Sequence, residues 1–341
     1  MLIVRAPMRI SFIGGGTDLS DFYHESPGRV ISTAIDKYVY VTLNRPALID
    51  EVSAKYSITE MVDNPALLKN DRIREALIDL GIKSNIEVAT FTDVFVNAGL
   101  GSSSSFSVAL MKGLQTALGN RIDKREAAEA ACRLEIDLVG DPIGKQDQYA
   151  AAFGGFNVIQ FNADESVDVQ PVRLDFKKRH KLEQHILVFF TGITRFAAEV
   201  LKEQKEKSKL NIDTLKAMAD SVMDFKELLL AGDVSAMGQM LHEGWLKKRT
   251  LGSTVTNPAL DDMYEAAMQG GAWGGKVLGA GGGGCIMFIA PKDNHAAIRE
   301  NLHKVASNHD LSKFKEIPVK FVQSGVEVLV NSDSSERQNM F

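Results

Sequence analysis

The chain has 341 residues, 45% hydrophobic and 24% charged, the balance of a soluble globular protein with length for one large domain or two ordinary ones. With 39 basic against 44 acidic residues it has no basic excess, which argues against a nucleic-acid partner. Its two cysteines, Cys132 and Cys285, stand far apart and neither has a neighbour at zinc-ligand spacing, so a disulfide framework is excluded and a reducing compartment is expected.

Residues 1–7 lack the layout of a signal peptide, and the apolar runs at 186–190 and 285–291 are too short to cross a bilayer, so a cytoplasmic protein without a membrane partner is expected. From Arg9 an apolar strand runs into Gly14, Gly15 and Gly16, followed by Thr17 and Asp18. β-Branched and aromatic residues at 38–43 and alternation at 86–91 predict two further strands. A helix is predicted from about Ser104, with Phe106, Ala109, Leu110, Gly113, Leu114 and Ala117 on one face, ending at Gly119-Asn120. Residues 124–139 predict a second helix, stopped by Gly140-Asp141-Pro142. Polar density between 160 and 185 suggests a domain boundary. Beyond it come a strand at 186–191, long helices over 195–230 and 233–249, a strand, glycine turn and strand over 274–288, and strands at 318–321 and 326–330. The pattern is two α+β domains.

Four segments carry chemistry. In residues 97–105, Gly99 and Gly101 let backbone N–H groups approach a phosphate, Ser102 to Ser105 offer hydroxyls, and the following helix points its positive end at the same place. An amphipathic helix follows without a spacer, which disfavours a flexible linker. Residues 279–284 satisfy the G-x-G-x-x-G spacing, but a strand pattern follows where a dinucleotide site needs a helix. Residues 270–276 approach a Walker loop, but Val277 stands where a metal-binding hydroxyl belongs. Close approach to a ligand remains the reading of that glycine run. Glu135 at a helix end and Asp147 beyond a Gly/Pro turn suit the two carboxylate roles of phosphoryl transfer, although two solvated acids are the commoner reading of any such pair and spacing alone does not decide it. The Arg9–Asp18 segment suits hydroxyl recognition, and equally a plain β-turn.

Taken in chain order, the four segments resemble the motifs of the GHMP kinase family, which includes galactokinases and homoserine, mevalonate and phosphomevalonate kinases. The motifs lie at residues 6–18, 99–105, 135–148 and 276–284, and the resemblance spans essentially the whole chain. It implies an α+β fold of two domains: an N-terminal, ribosomal S5 domain 2-like, ATP-binding domain over 1–172 and a ferredoxin-like domain over 173–341. It implies ATP and Mg²⁺ as cofactors. By the same resemblance Asp147 is the catalytic carboxylate with Arg9 beside it, and Ser103 and Glu135 hold Mg²⁺. Asn97, Gly99, Leu100, Gly101 and Ser102 to Ser105 (Ser102, Ser103, Ser104, Ser105) bind ATP. Gly15, Gly16, Thr17, Asp18, Gly281 and Gly282 line the substrate pocket. Galactokinases carry a Glu-His pair where this chain has Gly15 and Gly16. The variant over residues 9–19, with residues 191–195 downstream, resembles a branch that phosphorylates the anomeric hydroxyl of an already phosphorylated heptose, for nucleotide-activated heptose and surface glycans. The partners expected are thus a sugar phosphate and ATP, with a homodimer left open. A phosphosugar needs a cationic clamp, for which Arg195, Arg29, Lys145 and the run Lys247-Lys248-Arg249 are candidates; Arg195 leads because it follows a strand and a glycine. The rivals are a kinase for an unphosphorylated sugar and a non-catalytic relative. The second is disfavoured because Arg9, Ser103, Glu135 and Asp147 are all present.

Overall fold

A computed structural model describes the chain except for residues 47, 95–97, 195–199, 201, 204–206, 208–209 and 333–341. The first sheet is founded on two long antiparallel strands, β1 (Leu2–Ile13) and β2 (Gly28–Asn44). The second half of β2 pairs with β5 (Ile86–Thr92) and its first half with β6 (Phe156–Phe161). β3 (Val52–Lys55) runs parallel to β5 and carries β4 (Thr59–Val62) on its outer edge; β7 (Val167–Pro171) extends β6.

The second sheet contains β8 (Ile186–Phe190), β9 (Gly274–Val277), β10 (Cys285–Ile289) and β11 (Lys315–Glu316), all antiparallel in the order β11-β8-β10-β9. Helices α7 (Ile212–Ala231), α8 (Val234–Lys248) and α9 (Pro258–Gln269) lie between β8 and β9, and α10 (His295–Asn308) lies between β10 and β11. This is a β-α-β-β-α-β arrangement with an enlarged first crossover, the ferredoxin-like topology expected. The strand expected at 318–321 is displaced. Pairing falls on Lys315–Glu316, and Phe321 makes only an isolated bridge to Ile35, because Pro318 has no N–H to donate to a ladder. The chain then recrosses the expected division: β12 (Glu327–Asn331) pairs with the start of β1, so residues 327–331 belong to the first sheet.

Helices α1 (Ser20–Tyr23), α2 (Asp71–Asp79), α3 (Ser102–Ala117), α4 (Lys124–Cys132), α5 (Gln146–Phe153) and α6 (Phe176–Glu183) complete the N-terminal half and its exit. The buried stripe of α3 includes Val108, Leu110, Met111 and Leu114. Gly113 lets it lie close on the sheet, since a Cβ there would come within 3.0 Å of the Leu43 side chain. Along β1 the first residues alternate buried and half-buried, as on a sheet with one covered face, but Ala6 to Ile13 are buried throughout. The second domain covers the other face: Met8, Ile10 and Phe12 share one apolar core with Val222, Phe225, Leu241, Leu278 and Cys285. The two domains are thus joined by core, and β1 runs along the seam.

Candidate active site

The β1–β2 register shifts between Pro7 and Arg9. Such irregularities bend a strand and re-aim a side chain. Arg9 reaches from there to Asp147, in the first turn of α5, by a two-pronged contact: Nε to Oδ1 and Nη2 to Oδ2, both 2.8 Å. Its remaining nitrogen donates to the Gly99 carbonyl at 2.5 Å. Arg9 is only 4% exposed, whereas Asp147 is 23% exposed, so the carboxylate is the accessible member of the pair. Each Asp147 oxygen keeps a lone pair for a hydroxyl donor.

The loop from Ala98 to Ser105, the expected phosphate loop, is stitched between the domains. Arg9 N–H donates to the Leu100 carbonyl (3.0 Å) and Cys285 N–H to the Ala98 carbonyl (2.8 Å). Gly101 takes a left-handed conformation, φ 77°, and turns the chain into α3 at Ser102, two residues before the predicted start. A Cβ on Gly101 would lie 3.3 Å from both Arg9 and Asp147, so the helix N-terminus abuts that pair. The free N–H groups of its first turn and the helix dipole favour an anion there.

The serine run divides its labour. Ser105 is spent internally, its single hydroxyl proton shared between the Pro7 and Gly101 carbonyls. Ser103 Oγ faces Glu135 Oε1 at 3.4 Å. Glu135 points inward because α4 does not continue as an α-helix to Val139: Arg133–Leu138 forms a π-helical stretch, a device common at functional sites. Glu135 is fully buried and also meets Arg72 Nε (3.1 Å) and Gln148 Nε2 (2.6 Å). Burial pushes its carboxyl above the usual range, against the pull of Arg72. Arg72 continues to Asp141.

These residues fit a magnesium ion. Mg²⁺ takes one or two protein oxygens and completes its shell with water and substrate phosphates. Here a carboxylate and a hydroxyl face each other beside the helix N-terminus, and Gln148 Oε1 is a buried acceptor without a hydrogen-bond partner. A metal-bound water would satisfy it. Ser103 and Glu135 would hold the ion; when bound it neutralises phosphate charge. Among the described residues no cluster of three or more His, Cys, Asp or Glu side chains is placed for a metal.

The first-motif loop, residues 14–18 at the end of the 6–18 motif, is mostly self-contained. Thr17 Oγ1 lies within hydrogen-bond reach of the Gly14 and Arg29 carbonyls, either of which can take its one proton, and it accepts from Arg29 N–H. Asp18 accepts from Gly16 N (3.1 Å), Gln146 N (3.3 Å) and Gln146 Nε2 (2.9 Å), and burial, then the Asp147 charge, raises its carboxyl above the ordinary range. Its first task is therefore to fix α5 against this loop. Gly15 alone of the three glycines has an unremarkable φ, and a Cβ there would face Lys248 Nζ (3.9 Å) and Gln146 Nε2 (4.0 Å). Of the later glycine run, Gly279 and Gly284 back onto Gly99 and Ala98, whereas Gly281 and Gly282 pack on Val255. The dinucleotide reading fails as expected, because β10 follows that run.

Two buried lysines enter from the second domain. Lys276, on β9, donates to the Ser11 and Phe12 carbonyls at 2.9 and 2.8 Å, where a second register shift in β1 loosens the ladder. Burial pulls its ammonium well below the usual lysine range. Lys248, the last residue of α8, donates to the Gly279 carbonyl, and burial followed by repulsion from Arg9 brings it down to about 8. Of the other clamp candidates, Lys145 pairs with Glu165, Arg29 bonds Gln160 and Asp220, and Arg249 pairs with Asp261. Asn97 and Arg195 lie outside the described residues. Arg72 and Lys276 were not singled out in the sequence as site residues. Arg72 stands in an ordinary helix with no motif around it, and Lys276 showed only as the edge of a glycine run.

Gly99 (φ 76°) tests the seam. A Cβ there would meet the Leu278 carbonyl at 2.8 Å, a backbone atom that cannot swing aside. Gly99→Ala is expected to cost ~1–2 kcal/mol in left-handed strain alone and to weaken nucleotide binding at least ~tenfold by shifting the loop. Calorimetric titration with nucleotide checks this; unchanged affinity would mean the loop does not contact phosphate.

Comparison with known proteins supplies the family. The family descriptions "GHMP kinases N terminal domain" and "GHMP kinases C terminal" match residues 66–155 and 225–308. The chain is 29% identical over 331 residues to the D-glycero-alpha-D-manno-heptose 7-phosphate kinase of Campylobacter jejuni, covering 92% of this chain and 96% of that one. It is 25% identical to the galactokinase of Pyrococcus furiosus, over 89% and 94% of the two chains. A crystal structure described as a D-glycero-D-manno-heptose 1-phosphate kinase from Bacteroides thetaiotaomicron superposes with a TM-score of 0.79 at 23% identity, covering 98% of this chain and all of that one, which is a likeness of fold. A helix N-terminus for phosphate beside a fixed Arg–Asp pair is the equipment of a phosphotransferase, and the matches make it one. The chain belongs to the GHMP kinase family of ATP-dependent kinases. Among its described residues no helix is long and apolar enough to cross a membrane.

Proposed function

We propose that this chain transfers the γ-phosphoryl group of ATP to the anomeric hydroxyl of D-glycero-D-manno-heptose 7-phosphate, giving the 1,7-bisphosphate and ADP. The observation that carries the reading is the Arg9–Asp147 contact held against the N-terminus of α3. The acceptor hydroxyl donates to an Asp147 oxygen, which takes its proton as the sugar oxygen bonds to phosphorus and the bond to ADP breaks. Arg9 holds that carboxylate in one orientation and brings positive charge to the transferring group. Little covalent work falls to the protein, so positioning and charge dominate. Ser103 and Glu135 hold Mg²⁺, and the backbone of Gly99 to Ser103 wraps the phosphates. Similarity to the Campylobacter heptose 7-phosphate kinase supports the choice of acceptor.

Similarity to a galactokinase supports a second reading, a kinase for an unphosphorylated sugar. An ADP-release assay over heptose 7-phosphate, sedoheptulose 7-phosphate, mannose 6-phosphate, mannose, fucose and galactose separates the two. The expected result is a kcat/KM for heptose 7-phosphate at least ~10²-fold above any free sugar, because a site built for a charged group leaves its cation unpaired with a neutral one. Free sugars turned over equally well would overturn the heptose phosphate reading. NMR of the product's anomeric carbon tests the position of transfer.

A further inference from the structure

Lys248 stands apart from the other cations near the site. Its residue is 4% exposed, it has no ion-pair partner among the described residues, and its hydrogen bond to the Gly279 carbonyl uses one of three donors. Lys276, by contrast, spends two donors on the Ser11 and Phe12 carbonyls and acts as a strut between the domains. A buried ammonium without a carboxylate is costly and is not kept for packing alone, because an apolar residue would serve better.

The surroundings say what completes it. Gly15, whose backbone conformation any residue can adopt, leaves a space bordered by Lys248 Nζ at 3.9 Å and Gln146 Nε2 at 4.0 Å from where its Cβ would stand. Both borders are hydrogen-bond donors, so the space suits an acceptor. Asp18 faces the same region but is bonded to Gly16 and Gln146, so it does not neutralise the lysine by contact. The borders come from the first-motif loop, the start of α5 and the end of α8, not from the N–H groups of the phosphate loop that suit the nucleotide.

We propose that Lys248 is the acceptor-recognition cation of this kinase, holding with Gln146 an oxyanion of the acceptor in the space that Gly15 leaves free. The proposal rests on the phosphosugar reading above and goes beyond it by naming the residue that selects the charged acceptor.

The test is a selectivity ratio: kcat/KM for heptose 7-phosphate divided by kcat/KM for the same heptose without phosphate, with the KM for ATP measured alongside. Lys248→Met is expected to lower this ratio ~10–100-fold, the scale of one charge-assisted hydrogen bond, and to leave the KM for ATP within about twofold. Gly15→Glu, which keeps the lysine but gives it an internal carboxylate, is expected to move the ratio the same way and serves if Lys248→Met does not fold. Wild-type selectivity for the phosphorylated acceptor retained in a folded, ATP-binding Lys248→Met protein would overturn the assignment alone. So would an equal loss for both acceptors, or a loss confined to ATP. A wild-type protein that turns over only unphosphorylated sugars would overturn the phosphosugar reading, and this assignment with it.

Discussion

Asp147→Asn is expected to lower kcat by ~10³-fold or more while ATP affinity stays within about twofold. The substitution preserves size, so the first turn of α5 should persist. What changes is the face shown to Arg9 and to the acceptor. One carboxylate oxygen becomes an NH₂ group, which cannot accept from the guanidinium. One of the two 2.8 Å contacts is then lost, and a nearly buried Arg9 keeps an unpaired N–H. On the proposed mechanism the acceptor hydroxyl also loses the base that receives its proton. On the proposed reading the nucleotide has its own partners in the phosphate loop and the α3 N-terminus, so binding and turnover should separate. ADP release gives kcat, and calorimetric titration with nucleotide gives affinity. Turnover near the wild-type rate would remove Asp147 from the catalytic role; a parallel collapse of nucleotide affinity would make its role one of loop support.

The same pair shows how far the sequence could be read. Arg9 and Asp147 are 138 positions apart, and their contact follows from the register shift in β1, which nothing in the local composition announces. The roles proposed for them come from the family motifs that their segments resemble, not from anything local to either residue. The helix after the serine run was legible from periodicity, and its start was misplaced by two residues because serines are poor markers of a boundary and the turn is made by Gly101. The π-helical stretch at 133–138 was not legible: its residues read as a continued α-helix, and only tertiary packing of Glu135 against Ser103, Arg72 and Gln148 selects the wider turn. The return of residues 327–331 to the first sheet was invisible for a related reason. A five-residue strand pattern does not say which sheet it joins. Lys248 was one of three adjacent cations, and only burial separates it from Lys247 and Arg249.

Glu135→Gln probes the proposed metal face of the site, and its stability effect and its functional effect should diverge. Burial raises the Glu135 carboxyl above the ordinary glutamate range. A carboxyl raised in the folded state stabilises the fold below about pH 4.5, and that contribution is lost as pH rises through its folded value. At neutral pH the buried charge is therefore a burden, offset by Arg72, Gln148 and Ser103. Glutamine relieves the burden but takes one anion from Arg72, which keeps Asp141. These terms oppose each other, so the ligand-free variant should unfold within about 4 °C of the parent. Function has no such compensation, because a neutral amide is a weak ligand for Mg²⁺. Half-maximal activity should require at least ~tenfold more Mg²⁺, and the gain in melting temperature that Mg²⁺–ATP gives the wild type should shrink. An unchanged Mg²⁺ titration with an unchanged melting gain would place the ion elsewhere and leave Glu135 as a partner of Arg72. A large destabilisation of the ligand-free protein would show instead that Arg72 depends on Glu135 more than on Asp141.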